Sequence, residues 1–242
     1  MDNTFIEKLN NELEKIYNTT NFKNENVNEE LNILVKKYNK AIIPLLEEKM
    51  EDAKKYYKLR EEYSINTVDP VNEKVKPIIE KIKDDYMKLY NEEIRYIVAS
   101  SYSSKMNLIG ESDIDYFILF NPMTIEKVIQ MSQLLERYNF KFEKLGNKND
   151  PKNNYYIYNQ YIDNIQVEMK VRDYMNSKNV VSLHDFTDNK LDLKEKILFT
   201  YAKYQLKLKA KEDKTFKGYN LFKTIFYNYC FKDIDDAFFM MF

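Results

Sequence analysis

The hydrophobic period of this chain changes near Ile94, and that change limits the folds open to it. Upstream, apolar residues recur every three or four positions, the repeat of a helix with one buried face. Ile6, Leu9, Leu13 and Ile16 form one such set, and Leu31, Leu34, Val35, Tyr38, Ile42 and Leu45 a second. Ile78, Ile79, Ile82, Tyr86 and Leu89 form a third, while 47–63, dense in Glu and Lys around Tyr56, Tyr57 and Leu59, reads as a mostly solvated helix. Pro44 predicts a kink or division of the second helix, and Pro70 and Pro77 predict a break before the last one.

Downstream, short β-branched and aromatic runs predict five strands at 94–99, 114–120, 140–145, 155–158 and 165–171. Thr124 caps a helix that has Glu126 in its first turn and ends near Tyr138. Residues 94–172 therefore read β-(short helix)-β-α-β-β-β, with the Asn- and Lys-rich stretch 146–154 as a loop between two strands. Two further helices, 191–213 and 215–231, precede an apolar end at 238–242. The expected fold class is α+β: a helical region at 1–92, a small mixed sheet with helices on one side at 93–180, and a helical region at 181–242.

Composition narrows the chemistry. With 242 residues, 44% of them hydrophobic, the chain can bury a core without disulfides or a structural metal. Gly110, Gly146 and Gly218 are the only glycines, too far apart for a phosphate-binding P-loop or a dinucleotide fingerprint. One Cys230 and one His184 exclude a zinc finger and a cysteine redox pair. His184 reads as a half-buried or capping residue. The start MDNTFIEKLN lacks the basic and apolar regions of a signal peptide, and no run of 18 uncharged apolar residues occurs. The expectation is a cytoplasmic protein with no membrane partner, working through carboxylates, hydroxyls and lysines.

Those groups concentrate in two places. Ser100-Ser101 is followed, twelve residues on, by Ser112-Asp113-Ile114-Asp115 and a fully apolar run. Residues two apart on a strand share a face, so Asp113 and Asp115 converge. Two crowded carboxylates repel unless cations neutralise them, and Mg2+ arriving on nucleotide phosphates is the natural partner. Glu168 stands between apolar Val167 and Met169, so it faces away from them, and Lys170 and Arg172 continue its face. An acid followed by two cations can hold a metal, activate a hydroxyl and bind phosphate. Asp163 is a weaker candidate, placed in a turn. Lys105 lies near the expected pocket and could contact phosphate.

With these residues the chain resembles the nucleotidyltransferase superfamily of DNA polymerase beta, poly(A) polymerases and antibiotic nucleotidyltransferases. The matching segments are Val98-Ala99-Ser100-Ser101, Ser112-Asp113-Ile114-Asp115 and Val167-Glu168-Met169, about a third of the chain. The resemblance implies that Asp113 and Asp115 bind catalytic Mg2+ (or Mn2+), that Glu168 completes the acidic triad, and that Ser100, with Ser101, holds the triphosphate. It implies transfer of a nucleoside monophosphate from an NTP, ATP among them, to an acceptor hydroxyl, with Ser112, Lys105, Lys170 and Arg172 on the substrate side. Ala99 departs from the family's glycine, and a Cβ there could hinder the approach of backbone to phosphate.

Two other readings stay open. Glu168-x-Lys-x-Arg172 with His184 downstream looks like the Glu-x-Gln-x-Arg segment of alarmone synthetases, although Asp-x-Asp and the lack of a basic substrate loop depart from that pattern. A catalytically inactive fold kept for binding or assembly is the other, supported by Ala99. The acceptor is left open among RNA, a small molecule and a protein side chain. Residues 190–223 hold 10 Lys against 4 Asp/Glu, and Lys196, Lys203, Lys207, Lys211 and Lys214 form a helical stripe. Such a stripe is a solvated face or a track for an RNA 3′ end.

Overall fold

The computed structural model describes residues 2–20, 27–111, 113–146, 155–175 and 191–230. Ser112, the side chain of Ser100, His184, most of the 146–154 loop and the apolar end lie outside the described residues. The helices are α1 (Asn3–Thr19), α2 (Val27–Glu47), α3 (Met50–Tyr63), α4 (Asp69–Tyr90), the single turn α5 (Ser100–Ser103), α6 (Ile125–Arg137), α7 (Leu193–Glu212) and α8 (Gly218–Cys230). The strands are β1 (Arg95–Ala99), β2 (Asp113–Phe120), β3 (Lys141–Leu145), β4 (Tyr156–Ile162) and β5 (Ile165–Asp173). The fold is α+β, as the change of period at Ile94 predicts.

By contact the chain forms two compact units, 1–58 with 185–242, and 59–184. This grouping does not follow the expected order of three consecutive segments. The physical reason is α4: its buried Val71, Val75, Ile79, Ile82 and Tyr86 belong to the same apolar core as the sheet residues Tyr116, Ile118, Val167 and Met169. The helix whose period ends before Ile94 is thus part of the sheet's own core.

The unit holding the sheet has strand order β1-β2-β5-β4-β3, with β2 and β5 parallel and the other neighbours antiparallel. Helices α4 and α6 cover one face, α6 through Met131, Leu134 and Leu135. Thr124 caps α6, its hydroxyl oxygen accepting from the Lys127 amide at 3.3 Å. Strand β5 alternates buried Ile165, Val167, Met169 and Val171 with half-buried Gln166, Glu168 and Lys170, so its polar set lies on the face opposite the helices.

The other unit packs α1, α2, the first part of α3, α7 and α8. Its centre is aromatic: the Tyr38 ring lies 5.8 Å from Phe199 and 4.7 Å from Tyr229, and Phe199 lies 4.9 Å from Phe226. Asp192 opens α7 with a reciprocal cap, accepting from the Glu195 amide at 2.7 Å while its own amide donates to the Glu195 carboxylate at 3.2 Å.

Two helical expectations are corrected. Pro44 does not divide α2, and Pro77 lies inside a continuous α4. Both prolines are exposed, on the solvent side of their helices, where the missing amide bond is tolerated. Pro70 sits in the first turn of α4, where no amide bond is needed, and a π-helical turn at Ser64–Val68 joins α3 to α4 where a break was expected. Helix α3 is mostly exposed, as its Glu and Lys content predicts, with Ala53, Tyr56, Tyr57 and Arg60 forming a buried stripe.

Candidate active site

Strand alternation puts Asp113, Asp115 and Phe117 of β2 on the face opposite the helices, while Ile114, Tyr116 and Ile118 point into the core. On the neighbouring strand β5, Glu168 pairs in register with Asp115, and Gln166 with Asp113. Carboxylate oxygens of Asp113, Asp115 and Glu168 come within 4.8 Å of one another. Oxygen ligands on opposite sides of one Mg2+ stand about 4.2 Å apart, at about 2.1 Å per bond, so a small contraction would close this set around an ion. Asp115 is 4% exposed, so its carboxylate needs a cationic or hydrogen-bonding partner. A buried acid in that condition fits a hard cation.

Among the described residues, Lys170 is the cation that ion-pairs with this cluster. Its ammonium lies 2.9 Å from Asp115 Oδ1 and 3.1 Å from Glu168 Oε2. Burial works against a charge there, yet the two carboxylates hold its pKa above the ordinary lysine value. Burial pushes the Glu168 carboxyl up, the charges of Asp115 and Asp113 add to that, and Lys170 opposes it. Gln166 donates from Nε2 to Glu168 Oε1 at 2.9 Å, which fixes the orientation of the carboxylate. Farther along β5, buried Arg172 lies 4.4 Å from the Tyr155 ring and 5.2 Å from that of Phe117. Desolvation there lowers its pKa. The stack presents a desolvated guanidinium on the same strand face as Glu168 and Lys170.

No protein-family model matches the sequence, and no curated protein matches it. The chain is similar in structure to a Cid1 poly(U) polymerase bound to MgATP, at 15% identity and a TM-score of 0.46, over 65% of this chain and 49% of that one. It is similar to a cytoplasmic RNA terminal U-transferase at 17% identity and a TM-score of 0.42, over 65% of this chain and 48% of that one. It is also similar to the GLD-2/RNP-8 complex at 14% identity and a TM-score of 0.43, over 76% of this chain and 68% of that one. The chain spans about half the length of the poly(U) polymerase chains it matches.

The remaining sequence candidates fall as follows. Ser100 and Ser101 begin α5, directly after β1, and the Ser101 carbonyl accepts from the Met106 amide at 2.7 Å. Lys105 is exposed in the turn after α5, with a φ of 59°. Asp163 sits in the β4–β5 turn with a φ of 48°, ion-paired to Lys74, and is not part of the acidic cluster. Ala99 registers opposite Asp115 and packs with Phe117 and Leu119. In the helical unit, Lys196, Lys203 and Lys207 are half-buried, Lys211 is exposed, and Lys214 lies beyond the end of α7. The stripe is therefore less solvated than its spacing suggests.

Two site residues escaped the sequence reading. Gln166 carries a legible signal, since it shares strand parity with Glu168, Lys170 and Arg172. Tyr155 carries none, because its meeting with Arg172 depends on how β4 pairs with β5. Among the described residues no helix is long and apolar enough to cross a membrane.

Proposed function

We propose that this protein is a Mg2+- or Mn2+-dependent nucleotidyltransferase that moves a nucleoside monophosphate from an NTP to an acceptor hydroxyl and releases pyrophosphate. The convergence of Asp113, Asp115 and Glu168 within 4.8 Å carries the reading. A divalent cation bound there would supply charge for the phosphate oxygens. Asp113 and Asp115 would hold that cation, and Glu168, oriented by Gln166, would take the proton of the acceptor hydroxyl. As the acceptor oxygen bonds to the α-phosphorus, the bond from that phosphorus to the bridging oxygen breaks and pyrophosphate leaves. Ser100 and Ser101, at the turn after β1, hold the β- and γ-phosphates, and Arg172 adds a fixed positive charge.

An RNA 3′ end is the acceptor we favour, on the local excess of lysine over acid in 190–223. ATP is among the donors this reading includes, and a reducing cytoplasmic compartment suits the single Cys230.

The test is transfer of label from each α-labelled NTP, with Mg2+ or Mn2+, to short RNAs and to a cell extract. Wild type is compared with Asp113→Ala/Asp115→Ala. We expect incorporation that the double substitution abolishes. Incorporation unchanged by the substitution would remove the acidic cluster from the reaction, and salt-insensitive incorporation without RNA would assign a small-molecule acceptor.

A further inference from the structure

Lys170 does more in this geometry than add charge to the phosphate side of the site. Its ammonium sits against two of the three carboxylates, 2.9 Å from Asp115 and 3.1 Å from Glu168. Its backbone position pairs with Phe117, two residues along β5 from Glu168, so the side chain must reach back along the strand to make these contacts. The ammonium also lies 5.9 Å from the Phe117 ring centroid. Its side chain is only 18% exposed, so solvent screens the pair weakly. A divalent cation held by the same carboxylates would meet a like charge one ion pair away.

We propose that Lys170 is a resident counter-ion of the acidic cluster, one that a divalent cation must displace, and that it sets the cation affinity of the site. This rests on the reading of the cluster as a cation site given above. The ammonium compensates the carboxylates while no cation is present, which lets three acids crowd one sheet face. Cation entry breaks both ion pairs and frees the ammonium. The triphosphate that accompanies the cation then offers the freed ammonium a new anionic partner. A bare cation, lacking that compensation, binds weakly, and a cation that arrives on a nucleotide binds well. Lys170 is a positioning residue on this account, and it couples cation binding to triphosphate binding.

The experiment measures Mn2+ binding to the full chain by calorimetry, without nucleotide, for wild type, Lys170→Met and Lys170→Arg, with Asp113→Asn/Asp115→Asn as the site control. Removing the competing charge should tighten Mn2+ binding by about tenfold, within the range that residues around a metal's ligands contribute. Lys170→Arg should keep the wild-type affinity. The sign is diagnostic, since a substitution that merely damaged the structure would weaken binding. Lys170→Gln makes the same comparison if the methionine variant does not fold. Equal or weaker binding in the neutral variants overturns the proposal while leaving the cation site intact, and so does tighter binding in Lys170→Arg. Absence of Mn2+ binding in wild type and neutral variants alike, or binding that persists in the Asp113/Asp115 control, overturns the cation-site reading itself and this inference with it.

Discussion

Asp115 and Glu168 are register partners across β2 and β5, the parallel pair of the described sheet. Neighbouring strands lie about 4.8 Å apart, so in-register acids on one face are brought within reach of a single ion without any loop having to carry them. Both are held from behind by Tyr116 and Met169, their neighbours in sequence, which point into the core shared with α4 and α6. Such placement on packed strands gives a site less freedom than placement on a loop would.

Gln166 bears directly on the reaction proposed here. Its amide holds Glu168 Oε1 at 2.9 Å, and Gln166→Leu removes that donor while keeping the strand. Labelled-nucleotide incorporation should fall by about tenfold, the scale of an orienting residue. Glu168→Gln, which removes the proton acceptor itself, should cost about a hundredfold or more. Equal losses in the two variants would contradict the separate roles.

Tyr38 carries a stability prediction. Its side chain is fully buried among Phe199 and Tyr229, and its hydroxyl has no hydrogen-bond partner among the described residues. Burial pushes its pKa well above the ordinary tyrosine value, which keeps the hydroxyl neutral. Tyr38→Phe should stabilise the protein by about 1 kcal/mol, because it removes an unsatisfied polar group at little change in volume. Urea denaturation reads the change, and a loss of stability would reveal a partner for the hydroxyl.

At the start of α7, Asp192→Ala removes one half of a reciprocal cap. The expected cost is about 1 kcal/mol, measured by thermal or denaturant unfolding. Asp192→Asn keeps an acceptor oxygen for the Glu195 amide and should lose much less. Similar losses for Ala and Asn would show that charge, not hydrogen bonding, matters at this position.

Tyr96 donates to Glu80, and with burial this bond raises its pKa from 10.0 to about 12. A proton bound more tightly in the folded state stabilises that state fully below pH 10, and the contribution is lost as pH rises towards about 12. The stability difference between wild type and Tyr96→Phe should therefore be constant up to pH 10 and shrink above it. Denaturant curves across that range check the slope, and a difference that grew with pH would reverse the assignment.

Apart from the turn at Ser64–Val68 and the first half of α4, the helices and strands of the described chain were legible because the physics behind them is local. Burial on one face of a helix or strand forces a period of 3.6 or 2, and that period can be counted in the residues themselves. The same local rule placed Asp113 with Asp115 on one face of β2, and Glu168 with Lys170 and Arg172 on one face of β5. Proline misled where exposure, not propensity, settled the outcome, because Pro44 and Pro77 lie on the solvent side of continuous helices. Which strands became neighbours was beyond any local rule. That β5 lies beside β2, in the register that opposes Glu168 to Asp115, depends on pairing across some fifty residues and on the shared core with α4 and α6. The Lys170 bridge, the Gln166 hydrogen bond and the stacking of Tyr155 on Arg172 all follow from that register. Sequence alone thus determined which residues share a face. Tertiary structure decided which faces meet, because a one-residue slip between β2 and β5 would send Glu168 to the opposite side of the sheet.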